Sequence, residues 1–230
     1  NKAISLKPDY IDALYNRGIS LKELGRFDEA MADYNKALSL KPDYPEALNN
    51  RGSVLQKLGR FDEALQDYNK AISLRPDHVE ALNSRGFALQ ELGRFDEAMA
   101  DYNKALSLKP DCPDILNNRG TALQNLECFD EALQDYNKAI SLKPDYIDAL
   151  YNRGIALKEL DRFDEAIVDY NKALLLKPDY LEALNNRGNA LQKLGLLDEA
   201  IADYNKAISL KPQYIDALYN RGIALGGVKR

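Results

Sequence analysis

The sequence predicts an all-α solenoid in which antiparallel helix pairs repeat every 34 residues. Three observations carry this. Pro8, Pro42, Pro76, Pro110, Pro144, Pro178 and Pro212 keep a constant interval of 34. Gly18, Gly52, Gly86, Gly120, Gly154, Gly188 and Gly222 keep the same interval. A polar triplet, "NRG" or once "SRG", ends at each of those glycines. Repeats of this length signal stacked supersecondary units. The chain divides into six full units, 11–44, 45–78, 79–112, 113–146, 147–180 and 181–214. A partial second helix (1–10) precedes them and a lone first helix (215–230) follows, so that a single solenoid is expected over 1–230.

Each unit reads as two helices, A and B. In the first, helix A is "IDALYNRGISLKEL", with Leu14, Gly18, Leu21 and Leu24 on one stripe. Gly25 stops it, because a left-handed residue at the C-terminus is cheapest as glycine. Glu127 and Asp161 stand at the equivalent position and imply left-handed strain there. Helix B, "DEAMADYNKALSLK", opens with Asp28 and Glu29, which suit the positive end of the helix dipole. Ala30, Tyr34, Ala37, Leu38 and Leu40 form its apolar face, and Pro42 ends it. In "PDYPE", Asp43 is expected to cap the next helix and Glu46 to complete a capping-box arrangement.

Composition narrows the function. A net charge of −5 in 230 residues offers no basic surface for nucleic acid or anionic membranes. No apolar run approaches the roughly 20 residues that span a bilayer. The start, "NKAISLKPDY", has no leader layout and reads as the middle of a repeat, and a cytoplasmic location is favoured. Cys112 and Cys128 flank one helix, too far apart for a disulfide and without metal-ligand spacing. His78 and Cys112 replace a loop tyrosine (Tyr44, Tyr146, Tyr180), and Cys128 replaces a turn arginine. No base adjoins a nucleophile and no glycine-rich phosphate loop occurs, so neither catalysis nor a metal or cofactor is expected.

The 34-residue helix–turn–helix period, with Leu14, Gly18, Leu21, Phe27, Ala30, Tyr34, Ala37 and Pro42, resembles the tetratricopeptide repeat (TPR) family over essentially the whole chain. The resemblance implies a right-handed superhelix whose helix A residues line a concave groove. It also implies that the groove holds a peptide or protein segment.

The recurring triplet separates by direction. A mid-helix glycine costs about 0.5–1 kcal/mol relative to alanine, so seven need a compensating gain. Close approach of helix B through the small Ala30-type residue is the expected one. The arginines Arg17, Arg51, Arg85, Arg119, Arg153, Arg187 and Arg221 fall on the packed stripe, where the TPR pattern has an apolar residue. They are expected to pair with Asp33, Asp67, Asp101, Asp135, Asp169 and Asp203 of helix B.

The preceding residues, Asn16, Asn50, Ser84, Asn118, Asn152, Asn186 and Asn220, fall on the opposite stripe. In a TPR-like array that stripe is the groove. Two readings stand for these amides: contact with a ligand backbone, or bonds to a neighbouring helix that hold the repeats in register. The row is similar to the asparagine ladder in the TPR superhelix of O-linked N-acetylglucosamine transferase, which implies grip on peptide backbones.

The expected groove also includes Tyr15, Asn49, Asn83, Asn117, Tyr151, Asn185 and Tyr219 beside the ladder. One turn on, Ile19, Ser53, Phe87, Thr121, Ile155 and Asn189 vary most between units. Ile19, Phe87 and Ile155 offer apolar anchors. Asp12, Glu46, Glu80, Asp114, Asp148, Glu182 and Asp216 line the edge, opposed in part by Lys22, Lys57, Lys158 and Lys193. That field favours neutral or basic partner segments. Arg26, Arg60, Arg94, Arg162 and the Lys36-type residues read as a solvated face.

Units 11–44 and 147–180 differ at five places only, and helix B alternates between two spellings, pointing to a multiplied block of 68 residues. The leading reading is a scaffold binding an extended peptide or protein segment in the helix A groove. The alternatives are a substrate-binding or targeting arm of a larger enzyme such as a glycosyltransferase, or a self-assembling array. Head-to-tail association, in which the first segment covers the last helix of a neighbouring copy, is also expected.

Overall fold

The computed structural model describes residues 9–228, and the partial helix expected over 1–10 lies almost wholly outside them, as does the head-to-tail contact assigned to it. Thirteen helices and no strand occur among the described residues. The chain falls into two compact units, 1–110 and 111–230. The first holds α1 (Ile11–Glu23), α2 (Phe27–Leu40), α3 (Pro45–Lys57), α4 (Phe61–Leu74), α5 (Val79–Glu91) and α6 (Phe95–Leu108). The second holds α7 (Pro113–Asn125), α8 (Phe129–Leu142), α9 (Ile147–Glu159), α10 (Phe163–Leu176), α11 (Leu181–Lys193), α12 (Leu197–Leu210) and α13 (Ile215–Val228). Within each unit, odd-numbered helices are the A helices and even-numbered ones the B helices. Each packs on its chain neighbours, and successive A helices also touch.

The A helices stop as their sequence dictates. Gly25, Gly59, Gly93 and Gly195 take φ of +71° to +79°. The Arg26 amide then reaches the Leu21 carbonyl at 2.8 Å and the Gly25 amide reaches Lys22 at 3.0 Å, which closes a Schellman turn. Glu127 and Asp161 are held at φ +60° and +56°, a left-handed region that costs a side-chain-bearing residue about 1 kcal/mol. Leu24, placed on the buried stripe by its spacing, stands beyond the last turn and is 70% exposed.

The capping expectation is corrected. Tyr44, not Asp43, stands at the start of α3, and no side chain caps the helix. Pro45 is the first helical residue and carries no N–H to satisfy. Asp43 instead meets Lys70 at 3.4 Å, as Asp9 meets Lys36 at 2.9 Å and Asp111 meets Lys138 at 3.0 Å. The turn arginines are also paired: Arg26, Arg60, Arg94 and Arg162 fork onto Glu29, Glu63, Glu97 and Glu165. Both sets are exposed and add little stability.

The core is a repeating set of alanines, leucines and a tyrosine. Tyr34, Tyr68, Tyr102, Tyr136, Tyr170 and Tyr204 are fully buried. Their rings, rather than the Ala30-type residue, explain the mid-helix glycine. A Cβ on Gly18 would sit 2.6 Å from Tyr34 Cε1, and one on Gly120 2.7 Å from Tyr136 Cε1. The ring lies flat where a side chain would stand, so burial of a tyrosine offsets the helix cost of the glycine.

Candidate peptide groove

The triplet arginines Arg51, Arg85, Arg153 and Arg187 each hold three helices together. Each of Arg17, Arg51, Arg85, Arg119, Arg153 and Arg187 donates Nε–H and Nη2–H to the two oxygens of its helix B aspartate, at 2.5–2.7 Å. The third donor, Nη1, reaches back to the previous unit's helix B. Arg51, Arg85, Arg153, Arg187 and Arg221 meet Asn35, Asn69, Asn137, Asn171 and Asn205 at 2.6–2.9 Å. Sequence reasoning missed this second partner. The available signal was the fixed "DYN" in every helix B, one residue for each partner.

The asparagine before it forms a ladder between A helices. The Asn50 amide donates to Tyr15 Oη at 2.9 Å, Asn152 to Asn117 Oδ1 at 3.1 Å, Asn186 to Tyr151 Oη at 2.9 Å and Asn220 to Asn185 Oδ1 at 3.0 Å. Lys22 Nζ closes on Asn50 Oδ1 at 2.7 Å, and burial draws the Lys22 ammonium below its ordinary pKa. The nitrogens of these four amides are thus engaged in register contacts. Asn49 Oδ1 is buried with no described partner, because the next unit has Ser84 where an asparagine would reach it.

The remaining expected groove residues sort by burial. Asn117 and Asn185 are 7% exposed and face the neighbouring helix, a correction to their placement on an open wall. Their spacing put them on the polar stripe, but the next A helix closes over its edge. Tyr15, Ile19, Ser53, Asn83, Phe87, Asn118, Thr121, Tyr151, Ile155 and Asn189 are half-buried, while Asn16 and Tyr219 are exposed. Tyr15 packs on Tyr44 with ring centroids 5.0 Å apart and Tyr151 on Tyr180 at 4.8 Å. Burial pushes Tyr151 up to about 12.

Within the second unit a cavity of about 500 Å³ collects Lys158, Glu159, Asp161, Phe163, Asn189, Gln192, Lys193 and Asn220. The buried Tyr204 hydroxyl faces Asn189 Oδ1 at 2.7 Å and Gln192 Oε1 at 3.2 Å. The one hydroxyl proton goes to Asn189 Oδ1, the shorter contact, and leaves the Asn189 NH₂ group to donate elsewhere. The charges lining the cavity balance, two lysines against two acids. Of the expected edge acids, Glu46 is taken by Arg75 at 2.6 Å and Glu80 lies 3.2 Å from His78.

The tetratricopeptide repeat pattern matches residues 45–78, 79–112, 113–146, 147–180 and 181–214, and a second TPR pattern matches 20–59. The chain belongs to the tetratricopeptide repeat family. No curated protein matches it. Among solved structures, the TPR chain resembles one in the APC/C hetero-tetramer Cut9-Hcn1, at 20% identity and TM-score 0.89, covering 98% of this chain and 44% of that one. It therefore spans under half the length of that relative. YrrB, described as a TPR protein with an unusual peptide-binding site, is 23% identical with TM-score 0.66, covering 82% and 97% of the two chains. MamA is 27% identical with TM-score 0.64, covering 70% and 95%.

A chain built of TPR units is a protein–protein interaction scaffold. No described helix is long and apolar enough to cross a membrane. No cluster of metal-binding residues occurs among the described residues.

Proposed function

We propose that this TPR chain holds an extended peptide or protein segment along its A helices, with contact in the second unit centred on Asn189, Gln192 and Asn220. The observation that supports this most is the cavity of about 500 Å³ lined by residues of three successive A helices, together with Asp161 in the turn before α10 and Phe163 at its start. Its volume lies in the range of ligand sites. The Tyr204 hydroxyl donates to Asn189 Oδ1 and leaves the Asn189 NH₂ group for a partner's carbonyl group. The description of YrrB as carrying a peptide-binding site supports the same class of ligand. Edge acids such as Asp148, Glu182 and Asp216 favour neutral or basic flanking residues, whereas the charge-balanced cavity itself imposes no sign.

The ladder asparagines are poor test positions, because replacing Asn50 or Asn186 breaks a contact between helices. Asn189→Leu and Gln192→Leu lie outside the ladder. Full-length chain, immobilised, is offered a library of extended peptides, and retained peptides are sequenced. The Asn189→Leu, Gln192→Leu double variant is expected to lose at least tenfold in affinity for retained peptides, with an unchanged circular dichroism spectrum. Equal retention by wild type and folded variant would place the site elsewhere.

A further inference from the structure

His78 is the protein's single histidine, and it occupies a position where other units have tyrosine or cysteine. It starts α5 and is 5% exposed. Its Nδ1 lies 3.2 Å from Glu80 Oε2, so Nδ1 carries the proton in the neutral ring. Nε2 is buried and has no partner among the described residues. In four other units a lysine sits over the equivalent ring, as Lys41 does over Tyr44 at 4.2 Å and Lys177 over Tyr180 at 4.5 Å. Here Arg75 replaces that lysine and turns to Glu46 at 2.6 Å. The backbone turn is unaltered, with His78 N–H on the Arg75 carbonyl at 3.1 Å, as Tyr146 N–H is on Lys143.

We propose that His78 makes the junction between the second and third repeats an acid-sensitive joint, held by the neutral imidazole and loosened when the ring is protonated. Protonation would put a second N–H on Nε2, a buried donor with no acceptor. It would also place a cation at the N-terminus of α5, against the helix dipole. The charged groups acting on the ring are Arg75 at the end of α4, Glu80 on α5 and Glu46 on α3, with Lys109 acting on Glu80 from beyond α6. Arg75 opposes the imidazolium. Glu46 is already held by Arg75, and the Glu80 side chain is 68% exposed, so its attraction is screened by solvent.

Burial first, and then Arg75, hold the folded imidazole below its ordinary range. The unfolded chain therefore takes the proton first as pH falls through about 6.5. Stability at this joint is present above that pH, declines below it, and levels off beneath the folded value.

The test uses the full chain. The single imidazole is titrated by proton NMR, and amide exchange is followed at pH 7.5 and 5.0 after correction for intrinsic rates. An apparent pKa below the ordinary value and a loss of protection on the order of tenfold in 75–91 are expected. Segment 143–159, the matching junction with tyrosine, and the His78→Tyr variant should keep their protection. An imidazole pKa at or above about 6.5, or the same acid loss in His78→Tyr, would overturn the proposal. The NMR titration decides it even where His78→Tyr fails to fold.

Discussion

Arg51 and Asp67 form a two-pronged ion pair across the helix hairpin of the second repeat, at 2.7 and 2.6 Å, with the aspartate side chain only 8% exposed. A single removal leaves a partly buried charge without its partner. Asp67→Leu alone is expected to cost about 3–5 kcal/mol, and adding Arg51→Leu to recover much of that loss. Urea unfolding of the two single variants and the double variant measures the coupling. A double variant as unstable as the sum of the singles would show that the pair does not act as a unit.

Glycines at the same repeat position should respond in opposite directions. Gly120→Ala drives a methyl to 2.7 Å from the buried Tyr136 ring, and overpacking of this kind costs about 1–3 kcal/mol. Gly222 has nothing within 4 Å, so Gly222→Ala should be neutral or stabilise α13 by about 0.5–1 kcal/mol. Thermal unfolding of both variants checks the sign.

Ser84→Asn should repair the ladder. It would supply a donor to Asn49 Oδ1, the buried acceptor without a described partner. The expected gain is about 1 kcal/mol, less whatever the Ser84 contact with Tyr68 contributes. A stability equal to or below wild type in urea would show that the longer side chain does not reach across.

The buried tyrosines are not equivalent. Tyr34 and Tyr170 have hydroxyls without described partners, because Ile19, Lys22, Ile155 and Lys158 stand where other units offer hydroxyl or amide groups. Tyr34→Phe should therefore be neutral or stabilising. Tyr204→Phe loses contact with Asn189 and Gln192 and should cost about 1 kcal/mol. Calorimetry of the pair distinguishes them, and equal losses would contradict the assignment.

What could be read from the chain alone was what local chemistry decides. Pro42 ends a helix because its ring cannot continue one, and Gly25 ends another because φ is positive there. The pairing of Arg17 with Asp33 was equally legible, since a short turn between two helices leaves few faces that can meet. Asn50 was not, because its stripe is open in an isolated helix. Only the packing of one repeat on the next brings Tyr15 within 2.9 Å of its amide. The same packing buries Asn117 and Asn185 and shapes the cavity beside Asn189, while the hairpin within one repeat sets the Tyr34 ring rather than Ala30 against Gly18. Helix identity follows from backbone preferences within a few residues, whereas the contacts of a groove residue depend on where a helix some 34 positions away comes to rest.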